Sequence, residues 1–174
     1  MRKILILVML FSFVFLSATA LAYPNEPDGF RGLTWGTPLE RVKDSMVFQY
    51  TDGSFGGVDK YTRIDDELTI GAAKLKKIEY GFWQNKLSSV NIEFEGYNNW
   101  ANLYQSVIAR FGEGLRPNRY MDKYAWLASS KASILLEYSD IKRSGYMYIV
   151  SKVASDEQNA WEKEQAQKGG KSGF

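Results

Sequence analysis

The chain contains no histidine, no cysteine and only 4 prolines in 174 residues. Those two missing types exclude Ser-His-Asp and Cys-His nucleophile systems. They also exclude the usual nitrogen- or sulfur-ligated zinc, haem and iron–sulfur centres. Neither a disulfide nor a lipidated cysteine is available, so packing alone must hold the fold. Carboxylates, lysines, tyrosines and serines are left to carry chemistry, and neither a metal nor a cofactor is expected.

An excess of one charge is missing too: 22 Lys+Arg face 20 Asp+Glu, for a net charge of +2. Long apolar runs are confined to the start. Ile4 to Leu16 is apolar apart from Ser12, follows Arg2 and Lys3, and leads into Ala20-Leu21-Ala22. This is the pattern of a Sec-type signal peptide, residues 1–22, cleaved after Ala22 to leave a periplasmic or secreted chain from Tyr23. The alternative is an uncleaved anchor, because Ile4 to Ala22 just reaches the length of a membrane span. Cleavage removes Arg2 and Lys3 and no acid, leaving basic and acidic side chains equal in number. Such a balance excludes nucleic acid as the expected partner, since that requires a basic face. Membrane contact is expected only through the signal segment. The remaining ~150 residues suit one domain with its own core.

Aromatic residues are plentiful: 11 Tyr, 10 Phe and 5 Trp. They concentrate in Ile78 to Phe111, around which the rest is organised. Ile78, Tyr80 and Phe82, then Val90, Ile92 and Phe94, alternate with polar residues at the period of two that marks a strand. The polar link Gln84-Asn85-Lys86 between them predicts a hairpin. The period then lengthens: Trp100, Leu103, Tyr104, Val107, Ile108 and Phe111 form one stripe of a helix, capped by Asn98 or Asn99 and ended by Gly112.

On the N-terminal side, Thr37 with Glu40 reads as a capping box and Pro38 as a first helical residue, opening a short helix through Leu39, Val42 and Met46. Val47 to Tyr50 and part of Tyr61 to Ile70 read as strands. On the C-terminal side, Tyr124 and Trp126 pair by pattern with Ile134, Leu136 and Tyr138, and Tyr146 to Val150 supplies a last strand. Ser155 with Gln158 reads as a second capping box, and residues 165–174 as a disordered tail. The two hairpins share the same offsets, a weak internal echo. The expected architecture is a single α+β domain over 23–164, an antiparallel sheet of about 5–7 strands in hairpins with 2–3 helices packed on one face.

Few residues stand out for function. Asp65-Asp66-Glu67 is the densest acidic cluster and reads first as a solvated turn, because neighbouring strand residues point opposite ways. Asp52-Gly53-Ser54 lacks the later ligands of a calcium loop. Lys74, Lys76 and Lys77 read as a solvated strand edge. Trp83, Tyr97 and Trp126 are the candidate binding residues, since exposed tryptophan and tyrosine suit a glycan or protein surface. The competing reading is that both sheet faces are partly covered.

The stretches GFRGLTWGTPLERVK (Gly29 to Lys43), IEYGFWQNKLSSVNIEFEG (Ile78 to Gly96) and RFGEG (Arg110 to Gly114) resemble a family of small exported bacterial proteins. The resemblance implies a periplasmic or secreted α+β domain and carries over no activity and no catalytic residue. More distantly, Trp35 to Val42 is similar to the opening helix of SmpA-type envelope-assembly proteins and of β-lactamase-inhibitor-like domains, without the lipidated cysteine of the SmpA pattern. That similarity implies an envelope protein-binding role.

Two readings follow. One is a non-enzymatic binding or protein-interaction domain of the cell envelope, with an envelope protein or glycan as partner. The alternative is a carboxylate-dependent hydrolase or lyase acting on envelope polysaccharide, with Asp65, Asp66, Glu93 and Glu137 as candidates. Glu93 and Glu137 hold equivalent positions in the two hairpins.

Overall fold

A computed structural model describes residues 23–128 and 130–172; the expected signal segment, 1–22, lies outside them. The elements in order are β1 (Gly29–Phe30), β2 (Leu33–Thr34), β3 (Met46–Asp52), β4 (Val58–Arg63), β5 (Thr69–Ile70), β6 (Ala73–Lys74), β7 (Lys77–Trp83), β8 (Lys86–Glu95), α1 (Tyr97–Phe111), β9 (Asp122–Trp126), β10 (Ala132–Ser139), β11 (Ser144–Ser151) and α2 (Lys152–Ser172). The main sheet has seven antiparallel strands in the order β3-β4-β7-β8-β11-β10-β9. The fold is therefore α+β with two α-helices.

The expected hairpin turns on two residues, not three. Gln84 and Asn85 have φ of 49° and 61°, the two positive values of a type I′ turn, and Lys86 is already paired with Trp83. Along β7 and β8 the set Ile78, Tyr80, Phe82, Val90, Ile92 and Phe94 is buried. α1 packs on that face: Trp100 stacks on Phe94 with ring centroids 6.2 Å apart, and Trp100, Leu103, Val107 and Phe111 are its buried stripe. Gly112 ends it at φ 74°. No side chain caps its start. Asn99 works outside the helix, donating to the Glu95 carbonyl and accepting from the Lys74 amide.

The β9–β10 hairpin has the expected register, Trp126 opposite Ile134 and Tyr124 opposite Leu136. β11 inserts between β8 and β10, which joins the two hairpins into one sheet. The outer edge of β9 is partly covered, because Leu115 and Ala125 exchange backbone hydrogen bonds.

Three local expectations change. Thr37 caps no helix: its hydroxyl donates to the Thr34 carbonyl, and only 3-10 turns follow at Leu39–Arg41 and Lys43–Ser45. The cause is tertiary. Backbone bonds from Gly36 to Leu87, Leu87 to Thr37 and Leu39 to Asn85 hold residues 36–39 against the hairpin end, with Pro38 extended. Second, α2 starts three residues before Ser155, with Ser151 Oγ accepting from the Ala154 amide. Third, α2 continues as helix to Ser172, through most of the stretch expected as a tail. From the end of β11, α2 runs past the strand ends until Trp161 lies against Gly56, in the β3–β4 connection. Among the described residues no helix is long and apolar enough to cross a membrane.

Candidate binding site

A cavity of about 400 Å³ opens where the β7–β8 turn, the Trp35 loop and the first turns of α2 meet. That volume lies within the range of ligand pockets, about 300–1,000 Å³. Trp83 ends β7 in its wall, beside Leu87 of β8, and Trp35 faces them from the loop that is bonded to the hairpin end. Val153 and Ala154 close the side formed by α2.

Both indole N–H groups are already used. Trp83 Nε1 donates to the Phe55 carbonyl at 2.9 Å, and Trp35 Nε1 to the Pro27 carbonyl at 2.8 Å. What the half-buried Trp35 offers a ligand is therefore ring surface, apolar and polarisable, while Trp83, 5% exposed, forms the packed wall. Charge at the rim is mixed, with Asp28 and Glu157 against Lys86 and Lys131. Such a site suits an apolar group or the flat face of a sugar, fixed by a few polar contacts at the mouth.

The three candidate binding residues do not form one surface. Trp83 is buried, as part of the pocket wall. Trp126 is 1% exposed; its N–H is held by the Gly112 carbonyl, and Gly114 passes so close that a β-carbon there would stand 2.8 Å from the indole. Its role is core packing, contrary to expectation, because alternation along β9 points it at the α1 side beside Ile134. Tyr97 is 58% exposed and opens α1 at the far end of β8, about 30 Å from Trp83 at the rise of an extended strand. The large exposed aromatics that sequence reading missed are Tyr120, ahead of β9, and Phe48 and Tyr50 on the edge strand β3. The strand was legible there, but its edge position was not.

The acidic candidates also separate. Asp65 is exposed in a turn at φ 56°. Asp66 is structural, accepting from Arg31 at 2.5 Å and from the Tyr80 hydroxyl at 2.7 Å. Glu93 and Glu137 do share a row. Lys77, Glu93, Tyr146, Glu137 and Lys123 are successive partners across β7, β8, β11, β10 and β9. A shallow cavity of about 490 Å³ includes Glu93, Glu137 and Tyr146. Two strand spacings separate the carboxylates, ~10 Å between their α-carbons. Glu137 accepts from Lys123 Nζ and Tyr146 Oη, both at 3.0 Å. The Lys123 bond, helped by the Tyr146 hydroxyl, holds the Glu137 carboxyl below its ordinary range. It is thus a carboxylate at neutral pH, suited to a base or nucleophile and not to a general acid. Among the described residues no three acidic side chains gather as a metal cage.

Comparison with family models, with curated proteins and with solved structures finds no match for this chain.

Proposed function

We propose that the chain is an exported, non-enzymatic binding domain of the cell envelope, periplasmic or secreted, that takes an apolar or sugar-like group of its partner between Trp35 and Trp83. One observation carries the reading. The half-buried Trp35 and the buried Trp83, whose donors are consumed by backbone carbonyls, line an open cavity of about 400 Å³. The envelope setting rests on the leader pattern of residues 1–22 and on the resemblance of Gly29–Lys43 and Ile78–Gly96 to exported proteins.

The test is site-specific photocrosslinking of the exported chain in intact cells. A crosslinker at Val153, in the cavity wall and 61% exposed, is compared with one at Ile141, 97% exposed and outside it. A discrete adduct at 153, absent at 141 and lost on Trp35→Ala, is the expected result. Identical patterns at the two positions would remove the cavity from the function.

The row of Glu93, Tyr146 and Glu137 favours a second reading, hydrolysis of envelope polysaccharide. Its α-carbon separation of ~10 Å is closer to the wide carboxyl spacing of an inverting mechanism, ~6.5–9.5 Å, than to the ~5 Å of a retaining one. Glu137 would act as the base and Glu93 as the acid. Glycan turnover by the wild type, lost on Glu137→Gln, would select this reading over the first.

A further inference from the structure

A separate cavity, of about 270 Å³, enters the α1 side of the sheet between α1 and the β1–β2 hairpin. Its floor is Met147 and Ile149 of β11, each only 3% exposed, and Phe30, Val107 and Phe111 line its walls. The polar side chain on the helix wall is turned inward to its own helix, since Ser106 donates to the Asn102 carbonyl at 2.9 Å. Gly29 at the mouth cannot be replaced by a larger residue that would plug it. A β-carbon there would stand 1.9 Å from the Leu33 carbonyl oxygen. The cavity is thus lined mainly by apolar side chains.

Two guanidinium groups flank the entrance, and they are not equivalent. Arg31 is committed to the chain: it binds the Asp66 carboxylate at 2.5 Å, the Thr69 carbonyl at 2.7 Å and the Glu67 carbonyl. Arg110 is exposed, lies 5.6 Å from the Phe111 ring, and pairs with no carboxylate among the described residues. An apolar slot with one uncommitted cation at its rim matches a molecule with an apolar tail and an anionic head. The volume, about 270 Å³, lies just below the range of drug-sized ligand pockets, about 300–1,000 Å³, so the occupant must be small, with one apolar chain and not two.

We infer that this cavity binds a single-chain anionic amphiphile, the chain lying on Met147 and Ile149 and the head on Arg110. A guanidinium recognises carboxylate and phosphate alike, so a fatty acid and a lysophospholipid are the two sources.

The test uses the chain from Tyr23 to Phe174, stripped of amphiphiles and titrated calorimetrically. The probes are decanoate, a lysophosphatidylglycerol of the same chain length, and decyltrimethylammonium as the cation. One or both anions should bind at one per chain, with the better one identifying the source, and the cation should not. Arg110→Gln should weaken binding about two- to fivefold, the factor expected of an ion pair at an exposed rim. Val107→Phe, which fills the slot, should abolish it; if that variant fails to fold, Arg110→Gln decides alone. Trp35→Ala should leave the titration unchanged, separating this site from the Trp83 cavity. Absence of anion binding, equal binding by Arg110→Gln, or equal binding of the cation would overturn the inference.

Discussion

Lys60 reaches across β7 so that its Nζ would stand 3.2 Å from a β-carbon at Gly81, the position where a side chain is missing. Ser89 Oγ would be closer still, at 2.3 Å, and Val58 Cγ1 at 3.2 Å. A glycine in the middle of a strand is costly by itself. Here it is the socket for a lysine that is only 7% exposed and closes no hydrogen bond or ion pair among the described residues.

Gly81→Ala should therefore destabilise by about 1–3 kcal/mol, the usual cost of overpacking. Lys60→Met should lie within about 1 kcal/mol of the wild type or above it, because it removes an ammonium that burial penalises. The alanine should also cost less in the Lys60→Met background, since the two sites touch. Urea midpoints of the two single variants and the double variant check all three; additive effects would mean that the socket is not shared.

Alkali should unfold this protein from about pH 10 upward. Burial, aided by Glu26, pushes the Tyr23 hydroxyl well above its ordinary value; burial and the Asp66 hydrogen bond do the same at Tyr80. Tyr104 is pushed up to about 12, by burial first and by Tyr124 next. A folded-state value above the unfolded one means that stability is full below the unfolded value and falls as pH rises towards the folded one. Lys60 acts in the opposite sense, since burial lowers its value and folding gains as it neutralises below its ordinary 10.5. Denaturant midpoints at pH 8, 10 and 11.5 should decline across the last interval, and the decline should be shallower in Tyr23→Phe.

The β7–β8 turn carries correctable strain. Gln84 and Asn85 both have positive φ, which asparagine and glycine tolerate and glutamine does not. Gln84→Asn with Asn85→Gly should stabilise by about 0.5–1 kcal/mol, the scale of relieving such backbone positions. A rise of a few degrees in Tm is expected; a fall would show that the Gln84 side chain matters to the cavity it borders.

The first described residue anchors the chain. Tyr23 meets Phe111 edge-on with ring centroids 5.8 Å apart, and its hydroxyl donates to the Ala132 carbonyl. Nearby, Glu26 accepts from the amides of Ser130 and Lys131. Tyr23→Ala should cost about 3–5 kcal/mol, as for a buried aromatic, measured by equilibrium denaturation. A loss below 1 kcal/mol would mean that the strap is frayed in solution.

Sequence alone determined the local periods and what depends on them. Alternation with a period of two named the inward side chains of β7, β8 and β10, and the 3.6-residue stripe named those of α1, because burying one face of an element leaves its period in the residue order. It also determined which chemistries are unavailable, since a missing residue type needs no structure to be noticed. Tertiary structure decided the rest. Insertion of β11 between the hairpins put Glu93 and Glu137 in one row, and the Gly112–Gly114 backbone lies against Trp126 in the core, while bonding of the Thr37 segment to the hairpin end cancelled a helix that its local signals favoured. Both cavities are built from residues far apart in the chain, Trp35 with Trp83 and Val153, Phe30 with Val107 and Met147. No local pattern records such meetings, because they depend on which edges and faces the chain brings together and not on the order of its residues.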